Sequence, residues 1–231
     1  MTGKLYGVGV GPGDPELVTL KALRLTKEAD ILAFPGENPR ESVAYKIMKG
    51  AYPEIDTKQM ISLPMPMTKD KEQLKQVHDE GTRIIADQLD QGKNVVFLTL
   101  GDPTVYSTYL YVHKRVAQMR YDTEIVSGIT SFCAVSARFN QGLVEKAQQL
   151  HVIPASYQIE EALKLPGTKV LMKSGKAIGE TAAALSRHGL AEESAMVADC
   201  GLPTQQVFET ITGLPEKISY FATVIVPDSK E

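Results

Sequence analysis

Apolar residues along the first part of the chain alternate between two rhythms. Leu5 to Val10 is a short β-rich run that ends in Gly-Pro-Gly-Asp-Pro. Beyond it, Val18, Ala22, Leu25 and Ala29 are spaced i, i+4, i+7 and i+11, one face of a helix. Ile31 to Phe34 predicts a second strand, closed by Pro35-Gly36, and Arg40 to Lys49 a second helix. Met60 to Leu63 predicts a third strand, cut by Pro64 and Pro66. Leu74, Val77, Ile84 and Leu89 mark a long helix that ends near Gly92. Val95 to Leu100 is the plainest strand of all, apolar and bounded by Asn94 and Gly101. Helical spacing returns at Val105, Tyr109, Val112 and Val116; Glu124 to Val126 predicts a fifth strand, and Ser127-Gly128 opens another helix.

Strands alternating with helices imply a mostly parallel sheet with helices on both faces. Ligands of such sheets sit beyond the carboxyl ends of the strands, so the glycine-rich turns after Val10 and Leu100 are the places to look. The second half reads differently. Leu150 to Ile153, Lys169 to Met172, Ala195 to Ala198, Val207 to Ile211 and Phe221 to Val226 predict strands, the last three with short turns between them. One strong helix stands out, Glu180 to His188. Such spacing predicts hairpins and a mixed α+β second domain. The expected division is 1–137 and 138–231.

Composition narrows the classes. The chain has 231 residues, 43% of them hydrophobic, and a formal net charge of −3. No apolar run approaches the roughly 20 residues that cross a bilayer. The start of the chain lacks the pattern of a secretory signal, and two cysteines, Cys133 and Cys200, exclude a disulfide-dense scaffold. A cytoplasmic protein is expected. The acidic balance, without a basic block, argues against duplex nucleic acid as a partner.

Gly7-Val8-Gly9-Val10-Gly11-Pro12-Gly13-Asp14-Pro15 follows a strand, the context of a dinucleotide fingerprint. The spacing fails: from Gly7 the third glycine falls on Pro12, and from Gly9 on Asp14. A carboxylate there would also oppose a pyrophosphate at the positive end of a helix. Gly-Asp-Pro is by itself a good turn, with Asp capping a helix and Pro at its first position. Either copy alone is more often a turn than a site, but its recurrence as Gly13-Asp14-Pro15 and Gly101-Asp102-Pro103, each after a strand, opens the reading of a ligand cleft at one end of the sheet. Ser127-Gly128-Ile129-Thr130-Ser131 reads equally as an N-cap loop or a binding loop. Tyr109 lies in the apolar helical stripe, whereas Tyr106 is expected in the first helical turn beside Gly101-Asp102. Four histidines (His78, His113, His151, His188) show no i, i+4 pairing and the cysteines form no pair, so no metal site is expected. Neither Gly92-Lys93 nor Gly175-Lys176 continues as a phosphate-binding loop, and no serine sits in a nucleophile elbow. The residues alone lead to a two-domain α/β protein with a small-molecule cleft.

At these same residues the sequence resembles the tetrapyrrole methylases. Gly7 to Ala22 (GVGVGPGDPELVTLKA) is similar to that family's first signature and Leu100 to Thr108 (LGDPTVYST) to its Gly-Asp-Pro loop. Val126 to Phe132 (VSGITSF) resembles the third motif and Tyr220 to Val226 (YFATVIV) the C-terminal strand. Leu63 to Asp70 (LPMPMTKD), Phe34-Pro35-Gly36 and Ser42-Val43-Ala44-Tyr45 resemble the branch that methylates C20 of the macrocycle.

The resemblance implies two α/β domains with a cleft between them, a homodimer, and S-adenosylmethionine as methyl donor in a folded-up pose. The implied cofactor contacts are Val10, Pro12, Gly101, Asp102, Val105, Tyr106, Ser107, Thr130, Ser131, Met172, Ala222 and Thr223. A sulfonium is already an activated electrophile, so the protein's task is to hold the methyl in line with an electron-rich meso carbon; positioning supplies at best about 7–11 kcal/mol of such a barrier. C20 must then lose its proton, and Asp102 and Tyr106 are the candidate catalytic groups. A substrate rimmed by carboxylates meeting a net-negative protein requires local cations, with Arg40, Lys69, Lys173 and Lys176 as candidates. The expected substrate is cobalt-factor II of the oxygen-independent cobalamin pathway. Metal-free precorrin-2 of the aerobic pathway is the nearest alternative. A ribosomal-RNA methylase, a diphthamide-type protein methylase and a non-catalytic binder of a small anion stand further off. Partners beyond the tetrapyrrole and a second copy of the chain, whether nucleic acid or membrane, are not expected.

Overall fold

The computed structural model describes residues 2–66, 68, 70–155, 159–215 and 217–228. Packing divides the chain into two compact units, Met1–Thr130 and Ser131–Glu231. The expected boundary at 137/138 falls at the far end of the helix that opens the second unit, Ser131–Arg138.

In the first unit five strands, β1 (Lys4–Gly9), β2 (Ile31–Pro35), β3 (Gln59–Leu63), β4 (Val95–Thr99) and β5 (Asp122–Val126), form one sheet in the order β3-β2-β4-β1-β5. Every pairing in it is parallel. β4 is buried at all five positions, as a central strand covered on both faces must be. On one face, Leu5, Ala33 and Phe97 pack with Ile85 and Leu89 of α3 (Lys71–Asp90) and with Tyr109, Val112 and Val116 of α4 (Tyr109–Gln118). On the other, Phe34 meets the ring of Tyr45 from α2 (Val43–Ala51) edge-on at 5.9 Å. The remaining helix of this unit, α1 (Leu20–Glu28), starts later than Asp14-Pro15 suggested. Asp14 caps only a 3-10 turn, Pro15–Leu17, and Thr19 caps the helix, its hydroxyl accepting from Ala22 N at 3.1 Å. Arg40 likewise sits in a separate 3-10 turn, Pro39–Glu41, because extended Ser42 breaks the helix that the sequence ran through it.

The second unit opens with α5 (Ser131–Arg138) and contains the sheet β6 (Leu150–Pro154), β7 (Thr168–Met172), β8 (Ala195–Ala198), β9 (Gln206–Phe208) and β10 (Ala222–Val226). Its order is β6-β7-β10-β8-β9, with β6–β7 parallel and the other pairings antiparallel. Among the described residues only β8 and β9 form a hairpin. β10 inserts between β7 and β8, since Ala222, Thr223, Val224 and Val226 are buried and demand cover on both faces. β9 ends at Phe208, and Ile211 leaves the sheet to join the core around α7 (Ile178–Arg187). A short helix, α6 (Glu160–Leu163), had no periodic signal long enough to predict it. Among the described residues no helix is long and apolar enough to cross a membrane.

Candidate active site

The order β4-β1-β5 gathers the three loops that leave these strands at their carboxyl ends, at a point where the chain reverses direction across the sheet. They meet backbone to backbone. Gly11 N donates to Gly101 O at 3.3 Å and Gly101 N to Gly11 O at 2.8 Å. A Cβ on Gly9 would lie 2.4 Å from Gly101 O, and one on Gly128 2.2 Å from the same oxygen, so neither position admits a side chain. Gly101 differs. Its φ of +70° is left-handed, and a Cβ there would meet nothing closer than Ile129 O at 4.0 Å. A methyl would fit at this buried position, so it is the left-handed φ and not crowding that calls for glycine there.

Asp102 fastens this arrangement. The residue is 8% exposed. Its Oδ1 accepts from Thr104 N at 2.7 Å and from Thr104 Oγ1 at 2.5 Å, and its Oδ2 accepts from Gly128 N at 3.1 Å. One carboxylate therefore shapes its own loop and ties it to the loop after β5. Asp14, in the other Gly-Asp-Pro, accepts from Glu16 N at 2.9 Å, two residues on. The repeated tripeptide does two different jobs, and Thr104 and Gly128, which the sequence did not single out as Asp102's partners, decide which.

Residues 102–108 form a loop, not the first turn of α4. Tyr106 has φ +49°, a left-handed conformation that ends any helix, and its side chain is 40% exposed. Ser107 is held by Thr99, hydroxyl to hydroxyl at 3.0 Å, and accepts from Tyr109 N at 3.3 Å, which starts α4. Val10 is fully buried and its N–H donates to Thr99 O at 3.0 Å; Val105 N donates to Asp102 O at 3.2 Å. Pro12 is buried, and Thr130 closes the unit half-buried. Val10, Pro12, Gly101, Asp102, Val105, Tyr106, Ser107 and Thr130 thus share one end of one sheet. Among the described residues no group of His, Cys, Asp or Glu is placed to hold a metal ion.

In the second unit the remaining assigned residues also cluster. Thr223 pairs with Met172 across β10 and β7, and Ala222 with Ala198 across β10 and β8. Ser131, the first residue of α5, shares a 3.4 Å hydroxyl contact with Thr223. Met172 O is already taken by Ala155 N at 2.8 Å. Of the candidate cations, Arg40 is spent on Asp56, which Lys49 and the Tyr45 hydroxyl also contact; these partners hold the Asp56 carboxyl down at about 2. Lys176 is exposed, with its ammonium 5.7 Å from the centre of the Tyr220 ring. Lys173 is half-buried, and burial holds its ammonium below the ordinary lysine range. Lys69 lies outside the described residues.

The family profile described as Tetrapyrrole (Corrin/Porphyrin) Methylases matches residues 4–215. The chain belongs to this family. Among curated tetrapyrrole methylases, it is 38% identical over 172 residues to a probable cobalt-precorrin-2 C(20)-methyltransferase of Methanocaldococcus jannaschii, a match spanning 74% of this chain and 72% of that one. It is 32% identical to the cobalt-precorrin-2 C(20)-methyltransferase of Salmonella typhimurium over 98% of this chain and 97% of that protein. In fold this tetrapyrrole methylase is similar to the uroporphyrin-III C-methyltransferase of Thermus thermophilus complexed with S-adenyl homocysteine. The TM-score is 0.72 at 21% identity, covering 96% of this chain and 97% of the other.

Proposed function

We propose that the protein transfers a methyl group from S-adenosylmethionine to C20 of cobalt-factor II, releasing S-adenosylhomocysteine, in oxygen-independent cobalamin biosynthesis. The end-to-end similarity to the Salmonella C20-methyltransferase carries this reading, and the loops after β1, β4 and β5 supply a place for the chemistry. What the chain offers the cofactor there is backbone without a side chain at Gly101, with hydroxyls at Ser107 and Thr130 on adjoining loops. Assigning Ser131, Met172, Ala222 and Thr223 of the second unit to the same cofactor is part of the proposal, as are a cytoplasmic location and a homodimer of the 25.2 kDa chain.

When bound, the cofactor supplies an electrophilic methyl on sulfonium sulfur, which needs no metal held by the protein. The chain's own work is positioning. Asp102, bound to Thr104 and Gly128, fixes the loop that presents Gly101. In the transfer the sulfur–methyl bond breaks, the C20–methyl bond forms, and C20 gives up its proton. With the oxygens of Asp102 already accepting hydrogen bonds from its own protein, Asp102 acts here as a positioning residue. Tyr106, 40% exposed in this loop, is proposed as the group that passes that proton to solvent.

The test is an anaerobic incubation with S-adenosylmethionine and the dimethylated macrocycle, with and without cobalt, read by mass spectrometry. One added methyl, located at C20 and confined to the cobalt form, is the expected result. Methylation of metal-free precorrin-2 alone would move the enzyme to the aerobic route, and no methylation of either would overturn the assignment. Light scattering at twice the chain mass would support the dimer.

A further inference from the structure

The second unit contains a carboxylate arranged like that of Asp102. Asp199, the residue after β8, accepts from the Thr204 hydroxyl at 2.8 Å through Oδ2 and from the Ser219 hydroxyl through Oδ1. One oxygen closes its own loop, residues 199–205. The other reaches 20 residues along the chain, to the segment that leads into β10. Further contacts hold the same segment. Asp199 N donates to Phe221 O at 3.4 Å, and Phe221 N donates to the Ser219 hydroxyl at 3.3 Å. From the loop after β7, Gly175 lies so close that a Cβ there would be 1.9 Å from Ser219 O. Ser174 N, beside it, donates to Ala222 O at 3.1 Å.

The sheet itself does not need this clamp. Pairing with β7 and β8 already sets the register of β10 from Ala222 onward. What Asp199 adds is the path of residues 219–221, immediately before Ala222 and Thr223, the two β10 residues assigned to S-adenosylmethionine. The two arms of the clamp are unequal. The bond from Thr204 is exposed, so water competes for it, whereas the bond from Ser219 is partly buried and charge-assisted, which makes it the stronger. We propose that Asp199 is a positioning residue for the cofactor, acting through Ser219 to fix the start of β10 in the form that S-adenosylmethionine binds. The inference rests on the methyl-transfer reading above, with its assignment of Ala222 and Thr223, and names the residue that sets them in place.

The test is calorimetric binding of S-adenosylmethionine to variants shown by circular dichroism to be folded, with melting temperature and turnover measured alongside. Asp199→Gly removes the carboxylate and suits the backbone, since φ at Asp199 is +52°. It and Ser219→Ala should each weaken cofactor binding about tenfold, and the double variant should bind no more weakly than Asp199→Gly, because both changes remove one bond. The KM for S-adenosylmethionine should rise with the dissociation constant, while kcat at saturating cofactor changes little. Thr204→Ala should lower the melting temperature slightly and leave the affinity as it is. A lower melting temperature with unchanged cofactor affinity in both Asp199→Gly and Ser219→Ala would make the clamp merely structural and overturn the proposal. So would a loss of affinity in Thr204→Ala equal to that in Ser219→Ala. Thr223→Val separates this inference from the reading beneath it. Affinity lost there but kept in Asp199→Gly overturns the role of Asp199 alone, whereas affinity kept in both overturns the assignment of the second unit to the cofactor and the role of Asp199 with it.

Discussion

The Oδ2 of Asp102 accepts a hydrogen bond from the backbone N–H of Gly128 at 3.1 Å, across 26 residues of sequence. The bond joins the loop after β4 to the loop after β5. Replacing Asp102 by Ala leaves the Gly128 and Thr104 donors without their carboxylate. A buried donor without an acceptor costs about 1–3 kcal/mol. The expected outcome is a folded protein with a lower melting temperature whose affinity for S-adenosylmethionine falls at least tenfold, by calorimetry. Thr104→Ala, which removes only the hydroxyl donor, should show a fraction of both effects.

Gly101 and Gly128 should respond oppositely to alanine. At Gly101 the added methyl has room, and only the left-handed φ is unfavourable, so stability should fall by about 1–2 kcal/mol. The same methyl would stand against the proposed cofactor, and cofactor binding should weaken while the protein stays folded. At Gly128 the methyl collides with Gly101 O, a backbone atom that cannot rotate away. There the expected loss is of stability first, seen in urea denaturation, with binding lost as a result.

The unequal legibility of these two loops has a physical cause. Strands such as β4 and β7 declared themselves because a buried parallel or central strand must be a short apolar run, and the sequence has few other uses for one. Tyr106 could not be placed the same way. Val105, Tyr109, Val112 and Val116 keep helical spacing, and nothing in that pattern reveals that Tyr106 turns left-handed and delays α4 to Tyr109. The insertion of β10 between β7 and β8 was equally hidden, because chain order does not fix strand order. Asp102 and Gly128 each stood out as motif residues, whereas the bond that joins them did not, since a hydrogen bond of such long range leaves no spacing signal.

Gly7 and Tyr109 offer a test of packing away from the chemistry. A Cβ on Gly7 would sit 1.9 Å from Cε1 of the fully buried Tyr109 ring. Gly7→Ala should destabilise by about 1–3 kcal/mol, the usual cost of overpacking. Tyr109→Leu opens a gap on its own account, but the double variant should be more stable than the sum of the two single losses implies. A double-variant cycle of urea midpoints measures the coupling; simple additivity would show that the ring does not define the space over Gly7.

Asp56 gives the protein a pH-dependent element outside the loops after β1, β4 and β5. Lys49, then Tyr45 and Arg40, hold its carboxyl down at about 2, below its unfolded value. A lowered carboxyl contributes stability that is complete above the unfolded value, about 4, and is lost as pH falls toward about 2. The pair is exposed and will weaken with salt. Asp56→Asn should therefore flatten the decline in urea midpoint between about pH 4 and pH 2 at low ionic strength, and change little at neutral salt-rich conditions.

The position of β10 bears on how the chain comes to be folded during synthesis. The first unit is complete in sequence by Thr130, and its five parallel strands are available to pair while the rest of the chain is still being made. In the second unit β7 and β8 do not pair with each other. The strand that bridges them, Ala222–Val226, is made after every other strand of its sheet. Until Val226 emerges, β7 and β8 each expose a hydrogen-bonding edge. A nascent chain stalled before that point carries a finished first unit attached to an open, adhesive second sheet.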